Sequence, residues 1–192
     1  MDRYQERGFD SNEEMFFADW LTELGIKFTY KPEPFILSFP VRICYQKPRS
    51  ITEAHLMHGH TYQPDFKIDN ITRYLSVLES INLVLVDVCM PPIQNSLKDT
   101  LKTSSGVLWV DTKGSNLGKS RRSSDITFPI NQKWLWKDHG VYVNSLIPDR
   151  LFERTFYPES ALLTEGGKDK CKKTNGKLIP LREIVKTIKD VL

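Results

Sequence analysis

Apolar residues recur at helical spacing early in the chain. Phe16, Phe17, Trp20, Leu21 and Leu24 fall on one side. Ser11 followed by Glu14 has the form of a capping box, and Gly25 stands where a C-cap is expected, so a helix is predicted up to Leu24. The period then shortens. Residues 27–30 and 35–45 read as strands, with Pro32 and Pro34 between them and Pro40 imposing a bulge or an edge on the second. Residues 46–60 read as a polar connection and Tyr62–Ile68 as a short strand. Ile81–Cys89 reads as a buried strand, and Val107–Lys113 as a strand ending at Gly114. A basic, serine-rich loop to residue 126 precedes a helix over Asn131–His139, stopped by Gly140, and a strand over Val141–Ile147. Residues 165–177, rich in Gly and Lys, read as mobile, and Pro180 opens a last helix to Leu192. This order implies an α/β chain with a central mixed β-sheet flanked by helices.

A length of 192 residues and a hydrophobic fraction of 40% suit one domain, 1–192, with a proper core. Lys and Arg number 27 against 24 acids, a mild excess whose distribution says more than its size. Residues 113–122 carry Lys113, Lys119, Arg121 and Arg122 with no acid, and residues 168–177 carry five lysines against Asp169. Such clustering suits a polyanionic partner, although solvated loops also carry charge runs. Cys44, Cys89 and Cys171 form no CxxC pair, which argues against a disulfide framework or zinc site; Cys89 reads as a small buried hydrophobe. The polar N-terminus lacks the apolar segment of a signal peptide. The apolar run Ile81–Met90 is interrupted by Asn82 and Asp87 and is too short to cross a bilayer. The expectation is a soluble protein of a reducing compartment with no membrane partner.

In VLWVDTKG, Asp111 and Lys113 stand two apart and project from one face with Trp109, while Leu108 and Val110 point the other way. A carboxylate and an ammonium at the end of an apolar strand suit phosphodiester hydrolysis. The carboxylate holds a hard cation through oxygen, and the lysine orients or helps deprotonate the attacking water. One carboxylate does not hold Mg²⁺ alone. Asp65 in TYQPDFKI, behind the fixed backbone of Pro64, is the candidate second acid. Each motif alone also has a plain reading, an ion pair at a strand end and a PD turn. His55, His58 and His60 lack a cysteine and form no closed tetrahedral set, so they read as a polar loop in reach of phosphate. Asp87 lacks a lysine two residues on and reads as a strand-end acid; Trp134 and Trp136 read as core.

An acidic helix, PD at a strand start, DxK at the end of a second strand and then a helix resemble the PD-(D/E)xK nuclease superfamily. Within it the chain is most similar to phage endonuclease I, the Holliday junction resolvases that cut branched DNA. The similar stretches are SNEEMFFADWLTELGIKFTY (11–30), HTYQPDF (60–66) and WVDTKG (109–114), with a weaker echo in KDHGVYVNSLIP (137–148). The resemblance implies a restriction-endonuclease-like core and a structure-selective endonuclease of phage-type recombination or replication. It would use Mg²⁺, with Mn²⁺ as substitute, on branched duplex DNA in the cytoplasm, the host's if phage-encoded. By resemblance Glu14 is the helix carboxylate, Asp65 and Asp111 are metal ligands, the Thr112 carbonyl is a further ligand and Lys113 is the catalytic lysine. Lys119, Arg121 and Arg122 in the basic loop, with Lys133 and Lys137 on the next helix, are the candidate phosphate contacts.

At about 100° per residue, Glu13 lies nearer the centre of the apolar stripe than Glu14, and a capping box accounts for Glu14 without catalysis. Glu14 matches the Ser11-x-x-Glu position, and Glu13 is the alternative helix carboxylate. The chain departs from the family between Asp65 and Asp111, where residues 69–106 form an insertion, and over the extended residues 35–60. There the family exchanges strands to form a homodimer, so dimerisation and junction selectivity are the expectations most exposed to the difference. Two other readings use the same residues: a transposase-associated or restriction-like nuclease, and a nucleic-acid-binding or virion protein that kept the fold without activity.

Overall fold

The structure is a computed structural model describing residues 3–46, 52–88, 100–114, 123–164 and 166–185. In chain order, α1 (Arg3–Glu6) and α2 (Asn12–Glu23) precede β1 (Thr29–Tyr30), β2 (Phe35–Ser38), β3 (Val41–Gln46), β4 (Thr52–Met57), β5 (His60–Tyr62) and β6 (Phe66–Ile68). A 3₁₀ turn over Ile71–Tyr74 leads to α3 (Leu75–Ser80), β7 (Val84–Asp87), β8 (Thr100–Thr103) and β9 (Leu108–Thr112). Then come α4 (Ser123–His139), β10 (Val143–Leu146), α5 (Pro148–Arg154), a 3₁₀ turn over Glu159–Leu162, β11 (Cys171–Thr174), β12 (Lys177–Pro180) and α6 (Leu181–Ile184).

The centre is a mixed sheet in the order β1-β6-β9-β10. β1 and β6 run antiparallel, as do β6 and β9, whereas β9 and β10 run parallel. Parallel neighbours need a long crossover, and α4 lies between them in the chain. Alternation along β9 sends its residues to opposite faces. Leu108 and Val110 join Phe66 and Ile68 in the larger core, against Phe17, Trp20 and Leu21 of α2 and Phe152 and Phe156 beyond β10. Trp109 faces the smaller core of Leu37, Phe128, Leu135 and Val143. With helices on both faces, the sheet is buried on both sides.

Helix α2 forms where the chain signals it. The Ser11 hydroxyl accepts from the Glu14 amide, and Gly25 takes φ 68°, a left-handed conformation that costs glycine little. Elsewhere the chain departs from the sequence expectations. Residues 35–45 are two strands split at Phe39–Pro40, because proline brings no ladder donor. The expected polar connection 46–60 instead pairs β4 with β3 and β5 with β2. Tyr62–Ile68 is broken at Gln63–Asp65, so Asp65 precedes β6. In place of a buried strand over 81–89, Ile81 and Leu83 are buried in a turn and β7 is mostly exposed, with Val84 54% accessible. Helix α4 begins eight residues before Asn131, with Pro129 inside it. Within 165–180, where no strand is expected from the sequence, Cys171–Pro180 form the β11–β12 hairpin, whose Asn175 and Gly176 both take positive φ, 50° and 80°, as a type I′ turn requires. The last helix stops at Ile184, with Val185 extended at ψ 131°; residues 186–192 lie outside the described residues, as does Cys89.

Strand β8 is stitched to the central sheet by Asn144 of β10, which is 7% exposed. Its side chain accepts from the Lys102 amide at 2.9 Å and donates to the carbonyls of Lys102 and Trp109 at 2.8 and 2.9 Å. A side-chain amide carries both a donor and an acceptor, so it replaces a missing stretch of ladder. Among the described residues no helix is long and apolar enough to cross a membrane.

Candidate functional site

Continuing the antiparallel register Phe66↔Val110 by one residue sets Asp65 against Asp111 at the end of the sheet. Asp65 stands just before one strand and Asp111 near the end of the next, and burial makes their proximity costly. Asp111 is 7% exposed. The Asp65 carboxyl is pushed up to about 7, by burial first and by the neighbouring Asp111 charge second; hydrogen bonds from Thr112 oppose the rise, and Glu14 adds to it. Thr112 donates to Asp65 Oδ2 twice, from its amide at 2.6 Å and its hydroxyl at 2.7 Å. Thr112 thus holds Asp65 through groups other than the carbonyl singled out in the sequence.

Lys113 Nζ lies 2.7 Å from Asp111 Oδ1 and 5.2 Å from the centre of the Phe128 ring. Its backbone amide donates to the Leu146 carbonyl at 2.7 Å, which anchors the residue just past β9 to β10. The Lys113 and Asp111 side chains are 18% and 10% accessible, so this is no exposed surface pair.

Helix α2 brings Glu14, 8% exposed, into electrostatic reach of Asp65. Its Oε2 accepts from the Tyr30 hydroxyl at 2.5 Å and the Asp10 amide at 3.0 Å. Burial and the Glu14 bond together push the Tyr30 phenol above its ordinary range. Glu13 is half-buried rather than central to the apolar face, but its Oε1 lies 3.4 Å from where a Cβ on Gly114 would stand. From there Glu13 lines a cleft of about 510 Å³ with Asn12, Asp149 and Lys170.

Two tyrosines escaped sequence reasoning. Tyr62 donates to Asp111 Oδ2 at 2.5 Å, and Tyr30 reaches Glu14. No local signal marks either contact, since Tyr62 and Asp111 are 49 residues apart.

The other candidates scatter. Lys133 and Lys137 are exposed on α4. Lys119, Arg121 and Arg122 lie outside the described residues. Asp87 of β7 accepts from the Thr103 hydroxyl of β8 at 2.9 Å. His60 meets Asn131 Oδ1 at 2.9 Å, His58 is exposed, and the His55 side chain lies outside the described residues. Trp134 packs beside the smaller core. Of the lysines at 168–177, Lys172 pairs with Glu153 and Lys170 is half-buried over Phe16, whereas Lys168, Lys173 and Lys177 are exposed.

Among the described residues no three His, Cys, Asp or Glu side chains converge to cage a metal. The donors are two carboxylates, Asp65 and Asp111, with a third carboxylate, Glu14, in electrostatic reach. That set fits Mg²⁺ or Mn²⁺, which is bound through one or two carboxylates and completes its shell with water and phosphate. It does not fit a closed zinc site. No protein-family model, curated protein or solved structure matches the chain.

Proposed function

We propose that the chain is a divalent-metal-dependent DNA endonuclease with a restriction-endonuclease-like core, selective for branched duplexes and serving phage-type recombination or replication. The observation that carries this reading is the closeness of Asp65 to Asp111, with the Thr112 amide donating to Asp65 and Lys113 lying on Asp111. Two carboxylates this close, both largely removed from water, repel each other. A cation in that position relieves the repulsion. The helix–three strands–helix–strand order, with its last strand parallel, supports the core assignment.

A bound Mg²⁺ or Mn²⁺ would supply Lewis acidity at the scissile phosphate and acidify a coordinated water. The chain's own residues do the rest. Asp65 and Asp111 offer oxygen donors, and Thr112 keeps Asp65 turned towards the site. Lys113 Nζ would place a positive charge near the attacking water or the non-bridging oxygens, where negative charge develops. The exposed Lys133 and Lys137 and the basic stretch 115–122 suit contacts to flanking phosphates.

The test is cleavage of a four-way junction and of linear duplexes in Mg²⁺, with binding followed in Ca²⁺. Asp65→Asn and Asp111→Asn should lose metal binding and cleavage together. Lys113→Ala should keep both metal and DNA binding and lose at least about a hundredfold in turnover. Cleavage near the wild-type rate by Lys113→Ala refutes the site. Equal cutting of linear duplex and junction favours the restriction-like reading, and binding with no cleavage by the wild type favours the silent nucleic-acid-binding protein.

A further inference from the structure

We infer that Tyr62 is a positioning residue that holds the Asp111 carboxylate ready for the cation; the inference rests on the reading of Asp111 as a metal ligand. The Tyr62 hydroxyl donates to Oδ2 at 2.5 Å, while Lys113 occupies Oδ1 at 2.7 Å. A carboxylate offers about four lone-pair sites, so these two bonds fix its plane and leave sites open for a metal. Without such a restraint, repulsion from Asp65 would turn Asp111 away from the sheet end. The restraint is stiff because Tyr62 is itself held. It ends β5, pairs in register with Phe35 of β2, and its ring meets Phe128 of α4 at 6.4 Å between centres. Phe35 in turn packs edge-on against Trp109 at 5.2 Å, two residues before Asp111 on the same strand. The phenol and the carboxylate it serves therefore belong to one packed unit, although they come from opposite sides of the insertion.

Hydrogen-bond partners of ligating carboxylates typically matter by on the order of 10–100-fold in metal affinity. Tyr62→Phe removes the donor and keeps the ring. Mn²⁺ affinity, read by calorimetry on the DNA-free protein, should fall by on the order of 10–100-fold. The Mg²⁺ concentration for half-maximal cleavage should rise in parallel, with DNA affinity in EDTA unchanged. Mn²⁺ affinity within twofold of wild type in Tyr62→Phe, alongside its loss in Asp111→Asn, overturns the role of Tyr62 and leaves the metal site standing. Unchanged affinity in Asp111→Asn overturns the site itself and the inference with it. A loss of DNA affinity in EDTA with Mn²⁺ affinity intact makes Tyr62 a packing residue only.

Discussion

Asp65 Oδ2 receives both the amide and the hydroxyl of Thr112, at 2.6 and 2.7 Å. One residue thereby ties the strand carrying Asp111, with Lys113 just past its end, to the acid that precedes the neighbouring strand. Bonds to an ionised carboxylate favour the charged form, which is the form able to bind metal.

Thr112→Val removes the hydroxyl at nearly constant volume and leaves the amide. A hydrogen bond to a charged group contributes about 1.5–3 kcal/mol, so Mn²⁺ affinity near neutral pH should drop by roughly tenfold or more. Thr112→Ser should retain it. Calorimetric titration decides, and a valine variant binding Mn²⁺ within twofold of wild type would show that the amide alone suffices.

The raised Asp65 carboxyl makes metal-free stability depend on pH. The ordinary value is 3.8 and the folded one about 7, so between these pH values the folded chain holds a proton that the unfolded chain has released. The associated stability is present in full below about pH 4 and is lost as pH rises through about 7. In EDTA, urea midpoints of wild type measured against Asp65→Asn should show the wild type losing ground across that window. A wild-type advantage that stays constant from pH 4 to 7 contradicts the raised carboxyl.

What was legible in the sequence was local. Helix α2 follows from its cap and its period, and the faces of β9 follow from alternation, which sends Trp109 one way and Leu108 and Val110 the other. Asn175-Gly176 is a strong hairpin signal, yet the lysines around it hide the strands, since β11 is exposed along its whole length and needs no hydrophobic alternation. The early start of α4 is obscured by Pro129, since a proline inside a helix removes a backbone bond. The contacts that shape the site, Tyr62 to Asp111 and Tyr30 to Glu14, join distant parts of the chain and have no periodic signature. Sequence pattern thus singles out Asp65, Asp111 and Lys113 but not the hydroxyls bonded to the two acids.

The choice between Glu13 and Glu14 becomes a specific expectation. A capping box would turn the Glu14 side chain back to the Ser11 amide; instead Oε2 accepts from the Asp10 amide and the Tyr30 hydroxyl. The helix cap therefore accounts for the Glu14 amide on Ser11 Oγ and not for its carboxylate. That carboxylate is buried, and its charge raises the Asp65 carboxyl. Glu13 instead stands over Gly114 on the cleft wall, where its charge acts on Lys170. Glu14→Gln should raise the Mg²⁺ requirement for cleavage and slow turnover, by on the order of 10–100-fold if its carboxylate supports the metal shell. Glu13→Gln should leave the Mg²⁺ requirement within about threefold of wild type, since loss of a half-exposed charge outside the shell alters only a screened interaction. Metal titrations of cleavage by the two variants, run beside their melting temperatures in EDTA, separate the roles. A Glu14→Gln protein that melts lower but keeps the wild-type Mg²⁺ requirement would make Glu14 a structural anchor for Tyr30. A raised Mg²⁺ requirement in Glu13→Gln alone would move the helix carboxylate to Glu13.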